Sequence, residues 1–304
     1  MAEKHTEALH EHAAGLDQQP PSVVLGLLAD AQVQAAQAVT GAIGSIADAA
    51  GIVAETLGSG GRLAYAAAGS SGLMALADAL ELPGTYGIPR DRIVILFAGG
   101  AAALQDMAGA PEDDAVGAAR EVAYAGLGNG DCLIAVSASG STPYAVGALQ
   151  EAVRRGARTI AIANNAGSPL LQLAQAPILL ATPPELIAGS TRMGAGTAQK
   201  IALNMLSTLA AIHLGHVHDG YMVNLFADNI KLRGRAARIV AAIAGCDEQA
   251  AFAALEKTGG QVKPAVLIAA GAADAKTAER LLDGTGKRLR PALSRLETLE
   301  GGGR

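Results

Sequence analysis

The chain has 304 residues, of which 50% are hydrophobic and 17% are charged. This balance excludes an intrinsically disordered protein, because such chains combine low hydrophobicity with high net charge. The net charge of −5 leaves no basic surplus for a nucleic-acid backbone, so we expect no nucleic-acid partner. Tryptophan is absent and aromatic residues make up 3%, so a sugar would be held by hydrogen bonds rather than by stacking.

The two cysteines, Cys132 and Cys246, do not make a disulfide framework, and neither lies in a CxxC pair that binds metal. The amino terminus, MAEKHTEALHEH, lacks the apolar centre of a secretory signal. No apolar run approaches the roughly 18 residues of a membrane span. We therefore expect a cytoplasmic protein without membrane association.

Leu, Val and Ile recur at helical spacing among many alanines between residues 20 and 57. This period predicts two or three amphipathic helices. The pattern ends at Gly58, and residues 1–58 are interpreted as an N-terminal helical segment.

Five short apolar runs then alternate with helical patterns. They lie in RLAYAAAGSSG, RIVILFAGG, DCLIAVSASGST, ARTIAIANN and APILLAT. Strands that alternate with helices predict an α/β fold with a doubly wound, mostly parallel five-stranded sheet flanked by helices. We assign this domain to residues 59–234, and ligands of such sheets bind at the carboxyl ends of the strands.

A long apolar helical pattern, TAQKIALNMLSTLAAIHLG, follows the last predicted strand. From residue 235 onward the sequence predicts short helices separated by glycines, among them Gly245, Gly259 and Gly271. Residues 235–304 are interpreted as a small C-terminal helical domain.

Two small-residue loops are the first candidates for a binding site. Each follows a predicted strand and opens a helix, so backbone N–H groups and the helix dipole could cradle an anion. One such loop alone is more often a tight turn or an N-cap, but two at one edge of a sheet favour a phosphate site. Neither loop is a Walker motif or a GxGxxG motif, which disfavours a nucleotide. The candidate binding residues are Gly69, Ser70, Ser71 and Gly72 in the first loop, and Ser137, Ser139, Gly140, Ser141 and Thr142 in the second.

Several longer segments resemble the N-acetylmuramic acid 6-phosphate etherase family. They are GSSGLMALADALELPGTYG from Gly69, AGG at 98–100, SASGSTPY, GSTRMGAGTAQK at 189–200 and LNMLST at 203–208. The resemblance covers most of the chain, from TE at 6 and 7 to the tail. It implies a sugar isomerase (SIS) domain that uses no cofactor and no metal.

The resemblance implies a lyase that cleaves the D-lactyl ether at C3 of the phosphorylated amino sugar, giving D-lactate and N-acetylglucosamine 6-phosphate. A base removes the C2 proton of the open-chain sugar, an acid protonates the departing lactate oxygen, and water then adds to the unsaturated intermediate. This chemistry needs two carboxyl groups in one cleft. Glu81 and Glu112 match the family's catalytic glutamates, with Glu81 as the acid and Glu112 as the base.

Without the resemblance, the residues around the two glutamates favour non-catalytic interpretations. Glu81 lies at the predicted end of an apolar helix just before Pro83, where a carboxyl group could be partly buried or simply solvated. Glu112 stands beside Asp113 and Asp114, as an acid in a turn or a first helical turn would. The resemblance is what favours catalysis at both positions.

Three positions where the family has a cation lack one here. They are Leu73, Ser141 and Gly194, and Gly109 replaces an acid of the family. Such cations would favour the phosphate or the lactyl carboxylate through charge-assisted hydrogen bonds. We expect the substrate to be N-acetylmuramic acid 6-phosphate or a closely related sugar ether, and the need for the 6-phosphate stays open.

Further contacts to the amino-sugar substrate are implied by the resemblance around residues 185–200. They involve Glu185, Ser190, Arg192 and Lys200. Arg192, Lys200, Lys231 and Arg235 remain to supply positive charge, and each could equally be a surface or interface residue. Glu185 could bind sugar hydroxyls, or it could only cap the following helix.

The tract HLGHVHDG resembles a metal site through His213, His216 and His218, but no carboxylate triad lies nearby. We interpret these residues as surface or interface histidines. The resemblance also implies a homodimer with shared active sites. Two alternatives to the lyase stay open: a non-catalytic SIS-domain regulator that senses a sugar phosphate, and an aldose–ketose isomerase that uses the same C2 proton abstraction.

Overall fold

The computed structural model describes residues 5–225 and 230–301, with the backbone alone for residues 300 and 301. The chain divides into two compact units. The first comprises residues 1–79 and 91–209, and the second comprises residues 80–90 and 210–304.

A five-stranded sheet forms the centre of the first unit, and all of its strands are parallel. The spatial order is β2-β1-β3-β4-β5. Every residue of β1 and β3 is buried, which is why these strands are continuous apolar runs rather than alternating patterns. The predicted α/β fold and its five strands are therefore confirmed. The strands are β1 (Leu63–Ala67), β2 (Ile93–Phe97), β3 (Cys132–Ser137), β4 (Arg158–Ala163) and β5 (Ala176–Leu179).

Helices flank this sheet, and several begin where the sequence provides a start signal. Proline occupies the first helical turn of α1, α5 and α6, where its missing N–H costs nothing. Asp114 caps α4 by accepting a hydrogen bond from the Gly117 N–H. The helices are α1 (Pro21–Ala38), α2 (Ile43–Gly58), α3 (Gly69–Tyr86), α4 (Ala115–Tyr124), α5 (Pro143–Arg154), α6 (Pro169–Leu173) and α7 (Gly194–His213).

The stretch Pro21–Gly58 is long and apolar enough to cross a membrane by length and composition, and 33% of its most apolar window is buried. A core helix of a soluble protein passes the same test. A 3-10 turn at Val39–Ala42 separates α1 from α2 within this stretch. Ile46, Ala49 and Val53 on α2 are at most 2% exposed, so α2 contributes to the core of the first unit.

The second unit is a helical cluster with a short hairpin. Its core is formed by Val223 and by apolar residues of the C-terminal helices, such as Val240, Val266 and Leu267, which are completely buried. The elements are the antiparallel pair β6 (Val217–His218) and β7 (Tyr221–Met222), then α8 (Ile230–Ala244), α9 (Glu248–Lys257), α10 (Val262–Ala269), α11 (Ala275–Asp283) and α12 (Leu289–Gly301).

The compact units differ from the boundaries that the sequence suggested at residues 58 and 234. Residues 1–58 group with the sheet because α2 buries one face in the first unit. The second unit begins at residue 210 because Val223 and Leu225 belong to the C-terminal hydrophobic core.

Candidate functional site

The two predicted loops lie side by side at the carboxyl edge of the sheet. Strands β1 and β3 are neighbours, and Ala67 pairs with Val136 at their carboxyl ends. Gly69–Gly72 form the first turn of α3 rather than a separate loop, and Ser70 and Ser71 are half-buried there. The unpaired N–H groups of a first helical turn therefore meet the second loop at this edge.

Hydrogen bonds among hydroxyl groups fix the conformation of the second loop, residues 137–142. The Ser137 Oγ lies 2.8 Å from the Thr142 Oγ1 and accepts a hydrogen bond from the Gly140 N–H at 3.0 Å. The Ser139 Oγ accepts from both the backbone N–H and the hydroxyl of Ser141, each at 3.2 Å. This network pre-organises the loop that begins α5 at Pro143.

Glycine is required at one position of this loop. Gly140 has a φ of +65°, and a Cβ there would lie 2.2 Å from the Ser168 Oγ. The Ser168 Oγ is itself buried without a hydrogen-bond partner among the described residues. A side chain at position 140 would therefore strain the backbone and displace the neighbouring segment.

Glu112 reaches the first turn of α3. A Cβ on Gly69, whose φ is +55°, would lie 2.6 Å from the Glu112 Oε1, so the carboxylate lies directly against this glycine. Glu112 belongs to a 3-10 turn, Ala110–Asp113, and Pro111 of that turn packs against Gly99 of the AGG segment. Glu112 and both loops are thus brought together at one edge of the first unit.

The environment of Glu112 makes its carboxylate a stronger base. Partial burial raises the pKa of Glu112, and the charge of the adjacent Asp113 raises it further. A carboxylate with a raised pKa accepts a proton more readily from a weakly acidic C–H group.

The N-terminal segment contributes to this edge in a way that sequence reasoning missed. The Thr6 N–H donates to the Asn165 Oδ1, and the Asn165 Nδ2 donates to the Thr6 Oγ1 and to the Ser139 carbonyl oxygen. Thr6 lies within the TE pair that resembles the family's amino terminus, but no local pattern pairs it with a residue 159 positions away.

The structure places Glu185 at the start of α7. Its Oε2 accepts from the Gly194 N–H at 2.9 Å and its Oε1 accepts from the Ala195 N–H at 2.8 Å. The side chain is 5% exposed, and both oxygens bind the helix N-terminus. This geometry is that of a helix cap.

The remaining predicted binding residues differ in their exposure. Ser190 and Lys200 are half-buried, and Arg192 is exposed. The Lys200 Nζ donates to the Asn204 Oδ1 at 2.6 Å within α7. In this single chain, Lys200 is therefore already held by its own helix.

Glu81 belongs to the second unit and is exposed, so the expectation that it is partly buried is wrong for a single chain. Helix α3 does not end before Pro83 but continues to Tyr86. A proline inside a helix removes one backbone hydrogen bond without always ending it. Leu80, the preceding residue, is 57% exposed and leaves an apolar surface beside Glu81.

Two of the three C-terminal histidines are not on the surface. His218 is 9% exposed, His216 is partly buried, and His213 is exposed. Burial lowers the pKa of His216 to about 4, outweighing its hydrogen bond with the Tyr86 backbone. Within residues 5–225 and 230–301, no group of three or more His, Cys, Asp or Glu side chains could hold a metal ion.

Comparison with known protein families identifies SIS domains in this chain. One SIS domain family matches residues 117–213 and a second matches residues 28–164. A phosphoheptose isomerase from Francisella tularensis has a similar structure, with a TM-score of 0.48, 21% identity and coverage of 64% of this chain and 98% of the isomerase.

Curated relatives match nearly the whole chain. An N-acetylmuramic acid 6-phosphate etherase from Deinococcus radiodurans is 42% identical over 296 residues, which cover 97% of each chain. The enzyme of the same name from Streptomyces avermitilis is 41% identical over 95% of this chain and 93% of its own length.

Proposed function

We propose that this chain, which belongs to the N-acetylmuramic acid 6-phosphate etherase family, cleaves the D-lactyl ether of N-acetylmuramic acid 6-phosphate or a closely related sugar ether. The enzyme is a carbon–oxygen lyase with an SIS domain. Its products are D-lactate and N-acetylglucosamine 6-phosphate, which places it in amino-sugar metabolism and peptidoglycan recycling.

The observation that carries the mechanism is the position of Glu112 against Gly69 at the loop edge. We assign Glu112 as the base that takes the C2 proton of the open-chain sugar. Glu81 then gives a proton to the ether oxygen as the C3–O bond breaks and lactate leaves. Water adds across the resulting C2–C3 double bond, with hydroxide at C3 and a proton at C2, to give the product sugar.

The two loops are proposed to hold the phosphate. The first turn of α3 and the N-terminus of α5 supply backbone N–H groups and positive dipole ends, and Ser70, Ser71, Ser139 and Thr142 supply hydroxyls. Because Leu73 and Ser141 carry no charge, the phosphate is bound mainly by neutral donors.

A homodimer with shared active sites is the proposed assembly. Exposed apolar residues on α1 and α2 form a surface that a second copy would cover. The α1 and α2 residues are Val23 (44% exposed), Leu25 (65%), Val33 (55%) and Ile43 (53%). We further propose that the protein is soluble and cytoplasmic.

The first experiment separates the two chemical steps. Glu112→Gln is expected to abolish both exchange of the C2 proton with deuterium from solvent and D-lactate release. Glu81→Gln is expected to abolish lactate release while exchange continues. Glu256→Gln, the same substitution at an exposed position of α9, is the matched control and should retain both steps. Full activity in both glutamine variants would refute the mechanism.

The same two variants test the shared site. If each site takes Glu81 from one subunit and Glu112 from the other, mixing the inactive variants creates hybrid dimers with one intact site. Statistical mixing then restores about a quarter of the wild-type rate. No recovery after mixing, although subunits exchange, would show that each chain works alone.

Offering the sugar with and without its 6-phosphate tests specificity. D-lactate release only from the phosphorylated sugar supports the family activity despite the missing cations. Release from both forms indicates a changed specificity. Binding of the sugar phosphate without release from either form would favour the non-catalytic regulator, with which the absence of cations at Leu73 and Ser141 is compatible.

A further inference from the structure

The second unit contains a cavity of about 790 Å³, a volume typical of small-molecule sites. None of its wall residues is among the residues assigned to the lyase. The wall includes apolar residues such as Ile88, Val223 and Leu282. Its polar and charged part is formed by Arg90, His216, Asn224, Gln261, Lys263, Glu279 and Lys287.

Lys263 is the most unusual residue of this wall. It is 5% exposed, and its Nζ donates one hydrogen bond, to the Lys287 carbonyl oxygen at 3.1 Å. An ammonium group has three donors, and no carboxylate pairs with this one among the described residues. Burying a cation without a counter-charge is unfavourable. Lys287, whose charge also faces Lys263, is itself paired with Asp283.

The protonation of Lys263 agrees with a site for an anion. Burial, and then the charge of Lys287, lower the pKa of Lys263 to about 8. At neutral pH most molecules therefore still carry the ammonium, and an anion beside it would stabilise that form.

Amide side chains offer hydrogen-bonding positions in the same wall. Asn224 is half-buried and Gln261 is exposed. An amide both donates and accepts hydrogen bonds, so these residues can bind hydroxyl groups without competing for the anion.

We propose that this cavity binds a small polyhydroxylated oxyanion, with its charged group at Lys263 and its hydroxyl groups at Asn224 and Gln261. The shared chemistry is that of phosphorylated sugars and of sugar acids. Arg90 and Lys287 add positive charge around the same opening. Among the described residues of the wall, Glu279 is the one with an acidic side chain. The site does not depend on the lyase activity, because its wall and the proposed catalytic residues do not overlap.

Calorimetric titration tests this site with three probes: glucose 6-phosphate, gluconate and glucose. The protein carries Ser139→Asp, which places a negative charge in the second loop and suppresses anion binding there. We expect at least one of the two anions to bind and glucose to bind about tenfold more weakly or not at all. Binding of glucose 6-phosphate alone identifies a phosphomonoester site, and binding of gluconate alone identifies a carboxylate site.

Lys263→Met keeps the length of the buried side chain and is expected to weaken anion binding about tenfold or more. Lys257→Met, at an exposed position of α9, is the matched control and should leave binding unchanged. Arg90→Met, at an exposed wall residue, gives a second variant whose folding is not at risk and should weaken binding several-fold. Equal binding of glucose and the anions, equal effects of the two lysine variants, or no anion binding at 10 mM would overturn the proposal.

Discussion

The carboxylate of Glu185 supports the start of α7, and its removal should reduce stability more than it reduces substrate binding. Glu185→Gln leaves one oxygen to accept a hydrogen bond and turns an NH₂ group toward a second helical N–H. The variant loses one charge-assisted hydrogen bond, at about 1.5–3 kcal/mol, and the favourable charge at the helix N-terminus, at about 0.3–1 kcal/mol. The loss in the free energy of unfolding should therefore be about 2–4 kcal/mol, because the site is 5% exposed.

Urea denaturation and thermal unfolding measure this loss. For a unit of this size, the change corresponds to a fall of about 4–16 °C in Tm. Asp114→Asn is the matched control, since Asp114 caps α4 at an exposed position and asparagine caps as well as aspartate. A Glu185→Gln protein of wild-type stability with a tenfold higher KM would refute this reasoning and assign Glu185 to the substrate.

Three further predictions concern the site and its support. Gly69→Ala should cost about 1–2 kcal/mol and reduce D-lactate release by up to about a hundredfold, because the new Cβ would strain the backbone and displace the Glu112 carboxylate. Hydrogen bonds from Arg62 and from nearby backbone N–H groups outweigh the effect of burial and hold the pKa of Asp131 below its usual value. The ionised Asp131 carboxylate therefore stabilises the fold above about pH 4, and this stabilisation is lost as the pH falls through its lowered pKa. In Asp131→Asn, the free energy of unfolding measured with urea should depend less on pH in this acid range. Ser141→Arg should lower the KM for the phosphorylated substrate about tenfold relative to the unphosphorylated one.

Each of these predictions has a contrary outcome. Gly51→Ala, in a helix where a Cβ meets nothing within 4 Å, is the control for Gly69→Ala, and equal activity of the two variants would mean that Glu112 is not displaced. If the free energy of unfolding of Asp131→Asn falls with acid as it does in the wild type, Asp131 is not the cause of the acid-induced loss of stability. An equal effect of Ser141→Arg on both substrates would show that position 141 does not face the phosphate.

The strands could be predicted because they are buried on both faces. β1 and residues 132–136 of β3 are uninterrupted apolar runs, and this pattern is typical of a parallel sheet covered by helices. The loops after them could be placed as well, since the carboxyl ends of neighbouring parallel strands meet at one edge.

The end of α3 could not be predicted from the sequence alone. Proline at position 83 indicates a helix boundary, but the helix continues to Tyr86 and stops before Gly87, which has a φ of +63°. A Cβ at Gly87 would lie 2.0 Å from the Asn224 carbonyl oxygen, so this glycine is required by a contact with a distant segment. Local propensity therefore indicated the wrong stop, and tertiary packing determined the actual one.

The burial of individual polar residues could not be predicted from the sequence either. Lys263 stands second in a helix whose other residues are apolar, and a lysine near a helix start normally lies in solvent. Thr6 and Asn165 meet although they are far apart in the sequence. Such pairs depend on how whole elements pack, and a single sequence carries no signal for them.

The missing cation at position 194 and the role of Glu185 are connected in this chain. A Cβ on Gly194 would lie 3.0 Å from the Glu185 Oε2 and 3.3 Å from the Ala35 Cβ, so a side chain there would push the carboxylate by a few tenths of an ångström. Glycine at 194 leaves room for the Glu185 carboxylate, which accepts from both the Gly194 and Ala195 N–H groups and is thereby satisfied within the chain.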